Sequence, residues 1–161
     1  MDGKLRNMAS VYLTDEEGIL FLYRIGSRVA DKLFIGSAGG HFEKDELNDA
    51  RACVLREMQE ELGLTEQDIG HLMLRYVTLR LKNGEIRQNY YFFASVQNRI
   101  SLESSEGMLQ WVRYEDAASL EMPSSAQFMM DHYLKVGRYD SRLYAGVTRE
   151  DGISFTVLEE F

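Results

Sequence analysis

The feature that most constrains the fold is one amphipathic helix predicted in the middle of a strand-rich chain. Asn48 or Asp49 suits the N-cap, the helix runs to about Leu62, and Gly63 suits the position just after it. Six segments around it have the composition of strands. These are Met8–Leu13, Ile19–Arg24, Leu33–Ile35, Leu72–Leu81, Ile86–Val96 and Trp111–Tyr114. Strands on both sides of a helix predict a mixed α and β class.

The second half of the chain predicts a hairpin, another helix and a terminal extension. The Asn83-Gly84 pair between two alternating segments is typical of a tight hairpin. Ser124 or Ser125 is the predicted N-cap of a second helix that runs to about Val136. The segments Leu143–Val147 and Ile153–Leu158 predict a terminal hairpin or an added edge strand.

Length and composition predict one domain, residues 1–161, with an extension from about residue 138. The 161 residues match one sizeable core, and the sequence has no internal repeat and one proline. Cys53 is the one cysteine, which excludes an internal disulfide and favours a reducing compartment. No stretch approaches the roughly 20 apolar residues that span a bilayer, and the N-terminus lacks a signal-peptide pattern. We therefore expect a cytoplasmic protein with no membrane partner.

The net charge of the chain limits the kinds of ligand that it is expected to bind. The formal net charge is −8 at pH 7, and such an acidic surface repels phosphate backbones. A nucleic-acid polymer is therefore not an expected partner. Small anionic substrates stay open, because metal ions neutralise an acidic site locally.

The acidic residues gather on one face of the central helix. Glu57, Glu60 and Glu61 are spaced i, i+3, i+4, and Arg56 lies four residues before Glu60, within reach of an ion pair. Carboxylate oxygens suit Mg²⁺ or Mn²⁺, and the preceding glycines let the backbone approach an ion closely. The alternative is a solvated acidic face. The opposite face, predicted to pack on the sheet, consists of Ala52, Leu55, Gln59 and Leu62.

The stretch Gly39–Leu64 resembles the signature of the Nudix family, G-x5-E-x7-R-E-U-x-E-E-x-G-U, where U is a bulky apolar residue. Gly40, followed by five residues and Glu46, matches the first half of this signature. Residues 56–64, REMQEELGL, match the whole second half. The departure is in the middle, where nine residues separate Glu46 from Arg56 instead of seven. The two additional residues are predicted to lengthen the loop around Leu47–Asp49.

The resemblance implies an α/β/α sandwich with a mixed sheet, in which the signature forms a loop, a helix and a loop. Glu60 and Glu61 would bind the metal directly, together with the Gly39 carbonyl. Glu57 would bind metal or help activate water, and Arg56 would orient the glutamates. The implied reaction is the attack of water on a phosphorus atom of a diphosphate, which cleaves the P–O–P bridge. Bound metal would neutralise the diphosphate and acidify the water.

The resemblance also directs attention to residues outside the signature. Members of the family place a general base on the helix or on a later loop, where this chain has Glu103 and Glu106, with Glu106 preferred. Glu46 is an auxiliary candidate. Cations that could bind substrate phosphates are Arg24, Arg28, Arg80 and Arg87.

The substrate stays open at this stage. The family resemblance is nearest to bacterial mutator-type enzymes that act on 8-oxo-dGTP, which makes oxidised or ordinary nucleoside triphosphates candidates. ADP-ribose, nucleotide sugars and dinucleoside polyphosphates are the alternatives. A catalytically silent, nucleotide-sensing domain is a further alternative, as is an interaction module with an acidic helix. Related domains often dimerise, so a homodimer is also expected by analogy.

Overall fold

The computed structural model describes residues 1–26, 31–99 and 101–161. Its strands, in chain order, are β1 Lys4–Thr14, β2 Gly18–Arg24, β3 Leu33–Gly36, β4 Ala38–His41, β5 Gly70–Lys82, β6 Glu85–Ser95, β7 Gly107–Arg113, β8 Tyr144–Val147 and β9 Thr156–Val157. Its helices are α1 Ala50–Leu62, α2 Tyr114–Ala117 and α3 Ser124–Lys135. Short 3-10 turns cover Lys44–Glu46, Glu66–Asp68 and Gly137–Tyr139.

The strands form one mixed sheet. Its order is β3-β2-β1-β6-β5-β8-β9, with β4 also paired to β1 and β7 to β2. β1 runs parallel to β6 over its whole length, and β5 runs parallel to β8; the other pairs are antiparallel. The long pairing with β6 carries β1 back to Lys4, four residues before the predicted start.

Helices cover both faces of the sheet, which confirms the α/β/α sandwich. On one face α1 packs over a buried cluster that includes Val11, Leu20 and Phe92. On the other face α3 packs over a cluster that includes Tyr12, Phe21 and Phe93. We call these the α1 face and the α3 face. Because strand residues alternate between the faces, the longer strands β1, β2, β5, β6 and β7 contribute to both clusters.

The face of α1 that meets the sheet differs from the predicted one. Its buried residues are Cys53, Val54, Met58 and Leu62, whereas Gln59 is exposed. Only Leu62 of the predicted packing residues is fully part of this face. Cys53 is 0% exposed, and burial raises the pKa of its thiol to about 12.

Ser37 lies where one extended segment changes partner. β3 pairs with β2 and β4 pairs with β1, so the chain crosses from one strand to the other at Ser37. Its fully buried hydroxyl donates to the Leu20 carbonyl at 2.6 Å and accepts from the Leu13 amide at 3.0 Å. This hydroxyl therefore satisfies backbone groups that the ladder leaves unpaired, and it fixes where the glycines of β4 lie.

The later elements match the sequence expectations in part. Asn83 and Gly84 adopt φ values of 52° and 75°, which makes the predicted tight hairpin between β5 and β6. α3 begins at Ser124, but the N-cap is Pro123, with no side-chain cap, so the predicted serine cap is wrong. Ser125 is buried instead and shares a hydrogen bond with Thr148.

The terminal extension adds an edge to the sheet. β8 lies beside β5, and the two-residue strand β9 pairs with β8. The expectation of an added edge strand is confirmed, although most of the second terminal segment is irregular. Across the described ranges, no helix is both long enough and apolar enough to cross a membrane.

Candidate active site

Both ends of α1 are fixed in the way the sequence predicts, which sets the rotation of its acidic face. The Asp49 side chain accepts a hydrogen bond from the Ala52 amide at 3.0 Å, as an N-cap does. Gly63 has a φ of 70°, and its amide donates to the Gln59 carbonyl. The helix therefore presents Glu57, Glu60 and Glu61 toward β4 and the loop that follows it.

Arg56 is the centre of the charge network. Its Nε and Nη2 donate to the two oxygens of Glu46 at 2.7 and 2.9 Å, a bidentate pair. Its Nη1 donates to Glu57 at 2.9 Å and to Glu60 at 3.2 Å. The Nη2 also reaches the His41 carbonyl at 3.1 Å. One guanidinium thus holds three carboxylates, and the hydrogen bonds to Glu46 and Glu57 raise its pKa further.

Glu46 is part of this network despite the longer loop after it. It is 4% exposed, and its carboxylate also accepts from the Glu43 amide at 2.9 Å. The Arg56 hydrogen bond lowers the pKa of Glu46. The two additional signature residues fall in the exposed stretch between the 3-10 turn and α1, so Glu46 keeps its place.

Glu61 lies where β4, α1 and a later loop meet. Its Oε2 accepts a hydrogen bond from the Gly39 amide at 3.1 Å. The pKa of Glu61 is raised to about 7, mainly by burial; the negative charges of Glu57 and Glu106 act in the same direction, and the hydrogen bond from the Gly39 amide opposes them. Glu61 is therefore a partly buried carboxyl group whose charged form is disfavoured by its surroundings.

Glu106 is brought to the site by strand pairing, since it directly precedes β7, which pairs with β2. Its Oε2 is 3.0 Å from Nη2 of Arg24, the last residue of β2. Glu103, the other loop candidate, is exposed. The structure thus groups Arg24 and Glu106 with Glu57 and Glu61, and it leaves Glu103 in solvent.

The other cation candidates lie elsewhere. Arg80 is on the α3 face, where its Nη1 donates to Ser124 Oγ at 2.8 Å, and Arg87 stands opposite it in β6. Arg28 lies outside the described residues. A substrate role for Arg80 and Arg28 stays a prediction.

Gly40 is needed because the Glu57 carboxylate packs against its backbone. A Cβ added at Gly40 would lie 2.3 Å from Oε1 of Glu57 and 2.5 Å from its Cδ. Arg56 holds that carboxylate in place at 2.9 Å, so it cannot move away without losing this hydrogen bond.

We expect Gly40→Ala to displace the Glu57 carboxylate and destabilise the fold by about 1–3 kcal/mol, as overpacking does. Urea unfolding measures this cost. In a Glu57→Ala background the same change should cost little, because the atoms it meets are gone. An equal cost in both backgrounds would show that the backbone, not Glu57, requires the glycine.

A second acidic cluster lies beside the first. Within the described residues, Glu43, Asp45 and Glu46 have carboxylate oxygens within 4.8 Å of one another. Both oxygens of Glu46 are bonded to Arg56, and Glu43 lies 3.6 Å from Arg56 Nε. The Arg56 guanidinium already neutralises Glu43 and Glu46, so we interpret this cluster as one that positions Arg56.

The chemistry of the donor set fits a divalent cation. Glu57, Glu60 and Glu61 offer oxygen ligands only, as hard cations prefer. The pKa of Glu61 is raised mainly by burial and also by neighbouring carboxylates, and a cation bound there would favour the ionised form. Glu60 differs from its neighbours because its side chain is 58% exposed and turned to Arg56.

The comparison with protein families decides the identity of the chain. The model of the NUDIX domain matches residues 4–132, which include both the signature and most of the sheet. The chain belongs to the Nudix family. Nudix hydrolases act on nucleoside diphosphate derivatives, and this chain is accordingly an enzyme that hydrolyses a phosphoric anhydride bond. Nudix hydrolases in general use a divalent metal.

Solved structures show the same fold at low sequence identity. A mutator MutT protein from Bacillus halodurans aligns with a TM-score of 0.65 and 20% identity over 94% of this chain and 97% of that chain. A Nudix hydrolase from Nitrosomonas europaea aligns with a TM-score of 0.71 and 12% identity, over 92% of this chain and 81% of that chain. An Ap4A hydrolase from C. elegans aligns with a TM-score of 0.63 and 16% identity, over 80% of this chain and 94% of that chain. No curated protein sequence matches the chain.

Two contributions to this Nudix site were not evident from the sequence. The first is the bidentate bond between Glu46 and Arg56, which lie ten positions apart in this chain, two more than in the signature. The second is the His41 carbonyl, which accepts from Arg56. Backbone acceptors leave no signal in residue type, so only the fold reveals them.

Proposed function

We propose that the chain catalyses Mg²⁺-dependent hydrolysis of a nucleoside diphosphate linked to another group. The observation that carries this proposal is the position of Glu61, which accepts a hydrogen bond from the Gly39 amide and whose pKa is raised to about 7 by burial and by the charges of Glu57 and Glu106. Family membership supplies the reaction class. The roles of individual residues are inferred from their contacts.

The signature residues would hold the metal. Glu57, Glu60 and Glu61 offer carboxylates, and the Gly39 carbonyl is the backbone ligand that the family resemblance implies. Bound Mg²⁺, or Mn²⁺, would neutralise the diphosphate and lower the pKa of a bound water. Arg56 acts as a positioning residue, since its hydrogen bonds to Glu57 and Glu60 fix their rotamers.

Arg24 and Glu106 have complementary roles in this proposal. Glu106 accepts a proton from the attacking water as general base, because it is the loop carboxylate whose charge influences Glu61. Arg24 orients Glu106 through the 3.0 Å contact, and it offers its remaining donors to a substrate phosphate. Both side chains are partly exposed, at 31% and 40%, so substrate can reach them.

Substitution of Glu106 tests this assignment against a matched control. We expect Glu106→Gln to lower kcat by about a hundredfold, the usual contribution of a general base. Glu103→Gln, on the same loop but exposed, should leave kcat unchanged. The measurement is steady-state release of phosphate or pyrophosphate with Mg²⁺ present. Equal effects of the two substitutions would remove Glu106 from the mechanism.

The group linked to the diphosphate is a separate part of the proposal. Oxidised or ordinary nucleoside triphosphates such as 8-oxo-dGTP are the first candidates, and ADP-ribose and nucleotide sugars are the alternatives. A nucleotide-sensing role without catalysis is disfavoured because Glu57, Glu60 and Glu61 are all present. A homodimer and a cytoplasmic location remain expectations.

A further inference from the structure

A row of arginines crosses three neighbouring strands on the α3 face. The register places Arg6 of β1 level with Arg87 of β6, and Arg87 level with Arg80 of β5. Residues level with one another in neighbouring strands share a face, with Cβ atoms about 5 Å apart. Arg80 identifies that face, because it donates to Ser124 at the start of α3. We call Arg6, Arg87 and Arg80 the arginine row.

A second row of charges lies beside the first. Lys4, Glu85 and Lys82 are level with one another in β1, β6 and β5, two residues from the arginine row. Strand alternation puts them on the same face. The two rows together hold five cationic side chains and one carboxylate, on a chain of net charge −8. This part of the sheet is therefore positively charged, although the chain as a whole is negatively charged.

The arginine row is not explained by internal pairing. Like charges directly opposite in a sheet are destabilising. The Arg87–Glu85 contact is long, at 3.4 Å. In the part of the chain that the structure describes, the buried Nε of Arg87 has no hydrogen-bond partner. Three half-buried arginines with donors to spare are suited to an oxyanion from outside.

His41 connects this face to the candidate active site. Its Nε2 accepts from Arg6 Nε at 2.7 Å, while its carbonyl accepts from Arg56 at 3.1 Å. Gly39 is level with Ser10 of β1, and Arg6 lies four residues further along that strand. At 3.3 Å per residue, Ser10 and Arg6 are about 13 Å apart along β1.

We propose that the arginine row binds a phosphate group that the substrate carries away from the scissile bridge. This inference rests on the proposed function and names a substrate class: a nucleoside diphosphate derivative with a further phosphate, as on a ribose hydroxyl. The guanidinium fork pairs with phosphate oxygens in a way that neutral sugars do not offer. The arginine row therefore selects phosphorylated substrates over those with a neutral linked group.

Metal-free binding tests the inference separately from catalysis. Calorimetry in EDTA compares AMP with adenosine 2′,5′-bisphosphate and 3′,5′-bisphosphate, which differ from it by one phosphate. We expect at least one bisphosphate to bind tenfold tighter or more than AMP, the scale of a charge-assisted contact. Arg87→Gln should remove that advantage and leave AMP binding unchanged. Arg113→Gln, an equal loss of charge at a side chain that is 74% exposed, is the control.

The melting temperature of the Arg87→Gln variant distinguishes a binding role of Arg87 from a structural role. Arg87→Gln removes a like-charge contact, so the melting temperature should stay the same or rise; a fall would indicate a structural role. Arg80→Gln is the second variant, with the same expected loss of binding. Equal affinity of the wild-type chain for AMP and both bisphosphates would overturn the proposal. So would tight binding of a 5′-phosphorylated RNA oligomer alone, which would assign the row to nucleic acid.

These outcomes are distinct from failure of the proposed function. If a bisphosphate binds more tightly than AMP but Mg²⁺-dependent hydrolysis is absent, the phosphate-binding role of the arginine row is supported and the catalytic proposal is wrong. If hydrolysis occurs and Arg87→Gln leaves all affinities unchanged, the catalytic proposal stands and the arginine row has no role in substrate binding.

Discussion

Replacing Glu61 by glutamine is expected to lower kcat by about a thousandfold, equivalent to about 4 kcal/mol of lost transition-state stabilisation. Glu61 accepts a hydrogen bond from the Gly39 amide and is influenced by the charges of Glu57 and Glu106, so its substitution removes a charge from the centre of the site. Steady-state hydrolysis with saturating Mg²⁺ measures the effect. Glu66→Gln, an exposed acid beyond α1, is the matched control and should retain full activity.

The same variant should be no less stable than the wild type in EDTA. The pKa of Glu61 is raised to about 7 in the folded chain, against an ordinary value of 4.5, so the folded state keeps a proton that the unfolded state releases. Wild-type stability should therefore fall relative to Glu61→Gln as the pH rises from about 5 to 7. Denaturant midpoints at pH 5 and pH 8 measure this. A Glu61→Gln chain that loses activity by unfolding would contradict the assignment.

Removing the Glu46 side chain is expected to cost stability and activity together. Glu46→Ala leaves Arg56 without its bidentate partner, and breaking a buried pair in this way costs about 3 kcal/mol. The guanidinium then holds Glu57 and Glu60 less firmly, so kcat should fall by about 10- to 100-fold, the range seen when supporting contacts are lost. Chemical denaturation and steady-state kinetics measure the two effects.

Glu43→Ala is the control for that experiment. Glu43 lies 3.6 Å from the same guanidinium, but its side chain is 58% exposed, so its loss should cost at most about 0.5 kcal/mol. A cost at Glu43 equal to that at Glu46 would contradict the buried-pair explanation. The wild-type chain should also lose the Glu46 contribution as the pH falls below about 4.5, since Arg56 lowers the pKa of Glu46.

The sequence was sufficient to predict α1, because its ends depend on local chemistry. Asp49 and Gly63 act at the N-cap and after the C-terminus as expected. The prediction of the buried face of α1 was wrong in part, because which side of a helix is buried depends on where the sheet lies. Cys53, Val54 and Met58 are buried because β4 and β1 pass beneath that side.

Residues brought together by pairing over long distances were the hardest to predict. Glu106 lies 45 positions from Glu61, and only the β2–β7 pairing places it beside the helix. The arginine row depends in the same way on the register of β1, β6 and β5. A one-residue change of register would turn each of these side chains to the other face, and residue types alone do not determine it.

The most direct test of metal-dependent diphosphate hydrolysis is ³¹P NMR of the wild-type reaction in ¹⁸O-labelled water. Nucleoside triphosphates, ADP-ribose and dinucleoside polyphosphates would each be incubated with Mg²⁺ and, in parallel, with EDTA. The expected result is cleavage of a P–O–P bridge in at least one of these substrates, with one ¹⁸O incorporated at phosphorus, only when Mg²⁺ is present. Cleavage at the same rate in EDTA, or none of any substrate with Mg²⁺, would contradict it.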